Sequence, residues 1–404
     1  MKRIYVLVPL ILVLQSNKYK ADMDAKALPS AIARFSAKFV NELDKSKSVV
    51  SSPLSAEFVL ALLTLGTTDE AHNELLTSLG IPDDDSIRSS FSSISSKFRS
   101  IKGVTLNVAN KVYVMDGGYD LQPQLKEDAV KVFDAAFEKV DFSDSGHAAS
   151  LINAWVEDKT NKRIKDLISP DDLDSSSRLV LVNAIYFKGT WKKQFQPQNT
   201  MDQPFYVTPT TTVDVPMMYK EDNYKFGNSV ELKSLLLEMP YIDNEASMLI
   251  VLPEELDGLD SVLQKLAAGH DLFADVANMF DTKVQVTIPK FKIETEIDLG
   301  DLLPKIGIKK IFDKTNSGLT KILNVDEPLY VSKGIQKAFI EVNEEGAEAA
   351  AATAGVVRMR RSLHHTPPPV TFVANRPALW CINVANQIVA VATYRSAPNL
   401  RDEL

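Results

Sequence analysis

The sequence predicts an α+β fold. Segments with helical and with strand periodicity are mixed along the chain without regular alternation, which argues against a barrel or a doubly wound sheet. A second observation is composition: 404 residues, 45% hydrophobic and 24% charged, are long and apolar enough to bury a large core. A third is that no stretch rich in Gly, Pro or Ser is long enough to act as a linker, and no internal repeat shows. Length alone would allow two or three domains.

Taken in order, Ser30 to Lys45 places Ile32, Phe35, Phe39, Val40 and Leu43 at spacings of three and four, an amphipathic helix. Leu60 to Leu65, stopping at Gly66, reads as a second, more buried helix. Asp83 to Lys102 is Ser-rich and polar on most faces, with Ile87, Phe91, Ile94 and Phe98 on one side, as in a surface helix. Its Arg88, Lys97, Arg99 and Lys102 suggest a sulfated polysaccharide, but the preceding aspartates oppose it and heparin is not expected as a partner. Val104, Leu106, Val108, Val112 and Val114 alternate as in a strand. Leu179 to Phe187 is nearly continuous and partly β-branched, as expected of a strand covered on both faces. Met248 to Leu252 is similar, Val284, Val286 and Ile288 alternate up to Pro289, and Ser150 to Ile168 and Leu259 to Ala267 read as helices.

Charge and motifs exclude several functions. The formal net charge of -8 argues against nucleic acid. The single cysteine, Cys381, excludes an intramolecular disulfide. The five histidines show no metal-ligand spacing, and neither a Gly-x-Ser-x-Gly elbow nor a Gly-rich phosphate loop is present, so no metal or cofactor is expected and an enzyme is the weaker class. Met1-Lys2-Arg3 followed by the apolar run Ile4 to Leu14 has the form of a signal peptide, with cleavage expected between Ser16 and Ala21. That run is shorter than the about 20 residues that cross a bilayer. No later stretch suggests a membrane anchor. Arg401-Asp402-Glu403-Leu404 is a variant of the C-terminal signal read by retrieval receptors of the endoplasmic reticulum.

The most informative segment is Glu341 to Pro369. Ala347 to Ala352 could form an Ala-rich helix. Read as a strand instead, Ala347, Ala349, Ala351 and Thr353 share one face and are all small, so the segment could enter a packed sheet as a new central strand. Gly346 before it is a natural hinge.

The chain resembles the serpin family. The resemblance rests on Ser52-Pro53-Leu54-Ser55, on Asn183 to Trp191, on the run from Val286 to Leu303 around Pro289-Lys290-Phe291, on Glu344-Glu345-Gly346 with its alanines, and on Phe372 to Leu379. It implies one serpin domain over residues 22–400, with three β-sheets, about nine helices and an exposed reactive-centre loop at about 344–369. It implies a protease inhibitor, expected as a monomer, that traps its target as an acyl-enzyme while the cut loop inserts into the main sheet. It also assigns roles. Glu344, Glu345, Gly346, Ala347, Glu348, Ala349, Ala350, Ala351 and Ala352 match the hinge, Ser52, Ser55 and Asn183 the shutter beneath the sheet, and Trp191 the breach where insertion starts. Gln336 stands where many members have a histidine, and Asn375-Arg376-Pro377 replaces Asp-His-Pro.

Arg358-Met359-Arg360-Arg361 matches Arg-x-Arg-Arg, the pattern cut by furin-like proprotein convertases, whose carboxylate-lined subsites bind guanidinium groups by charge-assisted hydrogen bonds. The expected reactive bond is Arg361-Ser362. The family's usual spacing from Gly346 gives Arg360-Arg361 instead, which would suit a trypsin-like protease. A third reading is a non-inhibitory serpin acting as a chaperone, against which the small residues of the hinge argue.

Overall fold

The computed structural model describes residues 28–346 and 368–396. Its core is organised around a buried helix. Helix α1 (28–41) is followed by strand β1 (Val49–Ser51) and helix α2 (Pro53–Thr64), all twelve residues of which are buried. Ser52 caps α2 by accepting from Ser55 N, and Pro53 occupies the first turn, where its missing N–H costs nothing. Helices α3 (Asp69–Leu79) and α4 (Asp84–Ser100) pack around it, and Ile87, Phe91 and Ile94 of α4 are buried as the periodicity predicts. The basic residues of α4 are partly paired, Arg88 with Asp128 and Asp85 and Arg99 with Asp134.

Strand β2 (Val104–Met115), helix α5 (Pro123–Lys131), strand β3 (Ala136–Val140) and helix α6 (Ser145–Lys159) come next. The helix expected to run to Ile168 ends nine residues earlier, because Asn161 and Lys162 take positive φ values of 52° and 61°. Thr160 Oγ1 turns back to donate to Val156 O and accepts from Ile164 N, ending the ladder.

Strand β4 (Leu179–Gly189) is buried on both faces, which accounts for its unbroken apolar run. Leu179, Leu181, Ile185 and Phe187 enter the main core, while Val180, Val182 and Ala184 join a smaller core beneath α6. Strands β5 (Thr200–Thr208), β6 (Thr211–Ser229), β7 (Ser234–Pro240) and β8 (Ala246–Pro253) precede helices α7 (Leu259–Ala267) and α8 (Leu272–Ala277). Strands β9 (Phe280–Pro289) and β10 (Phe291–Asp298), the short helix α9 (Leu299–Leu302) and strand β11 (Val331–Val342) lead to the hinge. Strands β12 (Val370–Val373), β13 (Ala378–Val384) and β14 (Gln387–Tyr394) complete the described chain.

Two sheets result. One has the order β10-β11-β4-β2-β3, and the other runs β1-β14-β13-β8-β7-β6-β9-β12 with β5 paired to β6. The two smaller sheets implied by the resemblance are joined by hydrogen bonds, because the nineteen-residue β6 runs through both, pairing with β9 and β5 and then with β7. Asn375-Arg376-Pro377 packs between them: Asn375 O accepts from Tyr206 N, and Arg376 Nε donates to Pro253 O at 2.6 Å.

Candidate functional site

At the centre of the five-stranded sheet, β4 and β11 pair directly and in parallel, from Val331 opposite Leu179 to Phe339 opposite Tyr186. No strand lies between them. A polar row crosses this seam beneath the sheet: Gln336 of β11 stands opposite Asn183 of β4, which stands opposite Asn110 of β2. Gln336 Nε2 donates to Asn183 Oδ1 at 2.5 Å and to Ser52 O at 2.9 Å, and its Oε1 accepts from Ser52 N at 2.9 Å. Asn183 Nδ2 donates to Ser55 Oγ at 2.5 Å and to Asn110 Oδ1, and Ser52 Oγ donates to Val389 O. All five side chains are at least 95% buried. A buried network of this kind is stable only when every member is satisfied, so separating β4 from β11 strands several groups at once.

The structure thus brings together Ser52, Ser55, Asn183 and Gln336 as expected, with Gln336 supplying both donor and acceptor. Asn110 went unrecognised in the sequence. Its signal was present: it occupies the apolar face of β2, between Val108 and Val112.

Where β4 ends, the hinge begins. Trp191, 1% exposed, stacks on Tyr241 with ring centroids 4.5 Å apart and planes within 7°. Its indole Nε1 donates to Asn343 O and its backbone N to Glu345 O, both at 2.9 Å. Phe195 N donates to Glu344 O at 2.9 Å. Glu344 Oε1 accepts from Thr200 Oγ1 at 2.9 Å, and its Oε2 pairs with Lys290 Nζ at 2.9 Å. Burial raises the Glu344 carboxyl, but the hydrogen bonds from Lys290, the backbone and Thr200 outweigh it and hold the group below its usual range.

Gly346 closes this turn at φ 117°. A Cβ there would lie 2.3 Å from Gly189 O, 2.6 Å from Trp191 N and 2.9 Å from Thr190 Cα. Only glycine allows the chain to approach β4 this closely, and the result is an antiparallel bridge between Thr190 and Gly346 at the mouth of the seam.

The front of the seam is covered by α6 and the segment after it. Lys111 of β2 pairs with Glu138 and lies 5.0 Å from the Tyr113 ring and 4.7 Å from the Trp155 ring of α6. Lys333 of β11 bridges Asp172 and Asp298 at 3.0 and 2.9 Å, and Lys337 donates to Lys165 O. The remaining candidate residues, Ala347 to Ala352, Arg358 to Ser362 and Arg401 to Leu404, lie outside the described residues.

The arrangement is a closed sheet with a glycine hinge at one end of its central joint. The family model "Serpin (serine protease inhibitor)" matches residues 30–391. The chain belongs to the serpin family. It is therefore a protease inhibitor of that family rather than an enzyme. This serpin is 45% identical to the antitrypsin of Bombyx mori over 358 residues, which are 88% of its length and 90% of the relative's. It is also 45% identical to antichymotrypsin-2 of Bombyx mori over 349 residues, 86% of its length and 92% of the relative's. Among solved structures, Serpin48 of Tenebrio molitor superposes with a TM-score of 0.82 at 31% identity, covering 92% of this serpin and 99% of that chain. Of the residues to which the resemblance gives roles, Ser52, Ser55, Asn183, Trp191, Gln336 and Glu344 to Gly346 thus lie around a central joint that is closed, with β4 and β11 paired directly.

Proposed function

We propose that this serpin is a suicide inhibitor of furin-like proprotein convertases in the secretory pathway. The protease cuts the loop after Arg361, and the acyl-enzyme is trapped as the freed segment enters between β4 and β11. The observation that carries the reading is the tetrapeptide Arg358-Met359-Arg360-Arg361, a concentrated basic site in a chain of net charge -8, following an insertion hinge of small residues. Arginines at the first, second and fourth positions before the cut suit carboxylate-lined subsites, because guanidinium forms bidentate hydrogen bonds that lysine cannot. The apolar run at Ile4 to Leu14 and the retrieval signal at Arg401 to Leu404 support residence in the endoplasmic reticulum.

A trypsin-like target cut after Arg360 is the second reading. It is favoured by the family's hinge spacing and by the similarity to a protein named antitrypsin.

Mixing the purified serpin with furin and, separately, with trypsin tests both. A complex with furin that survives boiling in detergent, with a released peptide beginning at Ser362, is expected. Turnover by furin without complex refutes the convertase reading, and a peptide beginning at Arg361 in a trypsin complex establishes the second.

A further inference from the structure

Between α1, α7 and α8 a groove opens over the sheet, lined by Ala33, Ala37 and Val40 of α1, Leu263 and Leu266 of α7 and Leu379 of β13. Its free volume of about 50 Å³ holds roughly three or four waters, the bulk of one branched aliphatic side chain and too little for a ring system. The α1 side of the groove is basic. Arg34 and Lys38, each next in sequence to a groove alanine, are exposed, and among the described residues neither has a carboxylate within ion-pair distance. The α8 side is acidic, but its groups are engaged: Asp271 caps α8, and Asp275 pairs with His270 at 2.6 Å.

The described chain ends beside this groove. In the turn between α1 and β1, Ser48 Oγ accepts from Ser396 N at 3.2 Å and donates to Ser396 O at 2.9 Å. Arg395 Nη2 pairs at 2.5 Å with Asp260, in the first turn of α7. Leu263 and Leu266 lie one and two turns further along α7, about 5 and 9 Å from Asp260 along the helix axis. Residues 397–404 follow, outside the described residues, and bring Leu400 and then the acidic pair Asp402 and Glu403. From Ser396 to Leu400 an extended chain covers up to about 14 Å, a span that takes in both groove leucines.

We infer that residues 397–404 turn back onto this groove, with the Leu400 side chain inside it and Asp402 and Glu403 against Arg34 and Lys38. Size selects the occupant, because the groove takes one aliphatic side chain. Charge sets the direction, because the acidic pair is attracted by α1 and repelled by α8. Segment and groove belong to one chain, so their effective concentration is high and modest contacts suffice to populate the docked form. Docking covers Arg401 to Leu404, a tetrapeptide that a retrieval receptor reads when it is free. A docked chain passes the receptor and an undocked one is returned. This consequence rests on the retrieval reading above, whereas the docking does not.

The test uses the full chain with labelled leucine and alanine methyl groups, studied by NMR. Contacts from the Leu400 methyls to Ala37 and Leu266 are expected, and they should weaken about twofold or more in Arg34→Glu/Lys38→Glu and in high salt. Leu400 methyls with no contact to either residue overturn the docking, as do contacts made by Leu404 instead. Contacts undiminished in the double variant overturn the ionic part. Contacts between labelled and unlabelled molecules in a mixed sample make a second copy the occupant and overturn the intrachain reading. A purified retrieval receptor then compares the parent with Leu400→Asp, which leaves the described residues untouched. With four-fifths of the parent docked, the variant should bind about fivefold more tightly. Equal binding overturns the covering. A receptor that binds neither chain nor a free peptide of residues 397–404 overturns the retrieval reading and the covering with it, while the methyl contacts still decide the docking.

Discussion

Replacing Gly346 by alanine tests whether close backbone approach at the mouth of the seam holds the hinge shut. At φ 117° an alanine is strained by about 1 kcal/mol before any contact is counted. Its Cβ would meet Gly189 O at 2.3 Å and Trp191 N at 2.6 Å, and both are backbone atoms that no rotamer change can move. The turn must therefore lift from β4. Lifting weakens the bonds that hold the turn to the end of β4, Trp191 N to Glu345 O and Trp191 Nε1 to Asn343 O, both at 2.9 Å. At about 1 kcal/mol for each bond, the total is about 2 to 4 kcal/mol. For a chain of this length that lowers the unfolding midpoint by about 2 to 5 °C. An extended inserted strand has no such constraint, so the penalty falls on the closed state alone. Thermal unfolding and hydrogen exchange at the Trp191 amide measure the effect. A variant with an unchanged midpoint and unchanged Trp191 protection refutes the reasoning, because the close approach would then contribute nothing.

Three further outcomes follow from buried polar groups. Gln336→Ala leaves Ser52 N and Asn183 Oδ1 without partners, Ser52 O keeping only its bond from Ala56 N, and should destabilise the closed form by about 2 to 4 kcal/mol in denaturant unfolding, whereas Gln336→His should cost less than half as much. Glu344 is held below its usual range, so its pairing contributes stability above the unfolded value of 4.5 that is lost as pH falls through the folded value; Glu344→Gln should lose about 1 to 2 kcal/mol at neutral pH and converge with the parent in acid. Glu57, 1% exposed in α2, has the opposite sign: burial raises its carboxyl well above 4.5, so its contribution is complete below 4.5 and is lost as pH rises through the folded value. Unfolding midpoints compared at pH 5 and pH 8 should therefore fall less in Glu57→Gln than in the parent, and parallel curves would show that Glu57 is not the cause.

Sequence periodicity located elements well where one face is buried, as in α4, and where an apolar run is unbroken, as in β4. It overshot α6 because apolar spacing continues past Lys159, through Ile164, Leu167 and Ile168, which are buried by an irregular segment rather than a helix. That Ser52, Ser55, Asn183 and Gln336 meet was legible through family resemblance, but not that Asn110 joins them, because that depends on its lying two strands from Gln336. The grip on Glu344 was not legible at all. Thr200 and Lys290 are 144 and 54 positions away along the chain, and only the packing of the start of β5 and the β9–β10 junction against the hinge brings them to one carboxylate.

Strand direction gives the closed seam a further consequence. Along β10-β11-β4-β2, neighbours run antiparallel except at β11–β4, where two strands point the same way. A chain that leaves β11 and turns back at Gly346 must run antiparallel to both. Inserted there, it would replace one slanted parallel ladder by two antiparallel ladders, whose hydrogen bonds are straighter and somewhat stronger for each residue. The sheet as folded thus contains an interruption of up-and-down order at the one joint whose mouth the hinge occupies. Restoring that order adds a row of backbone hydrogen bonds along the joint, a driving force that belongs to the topology rather than to any side chain in the loop.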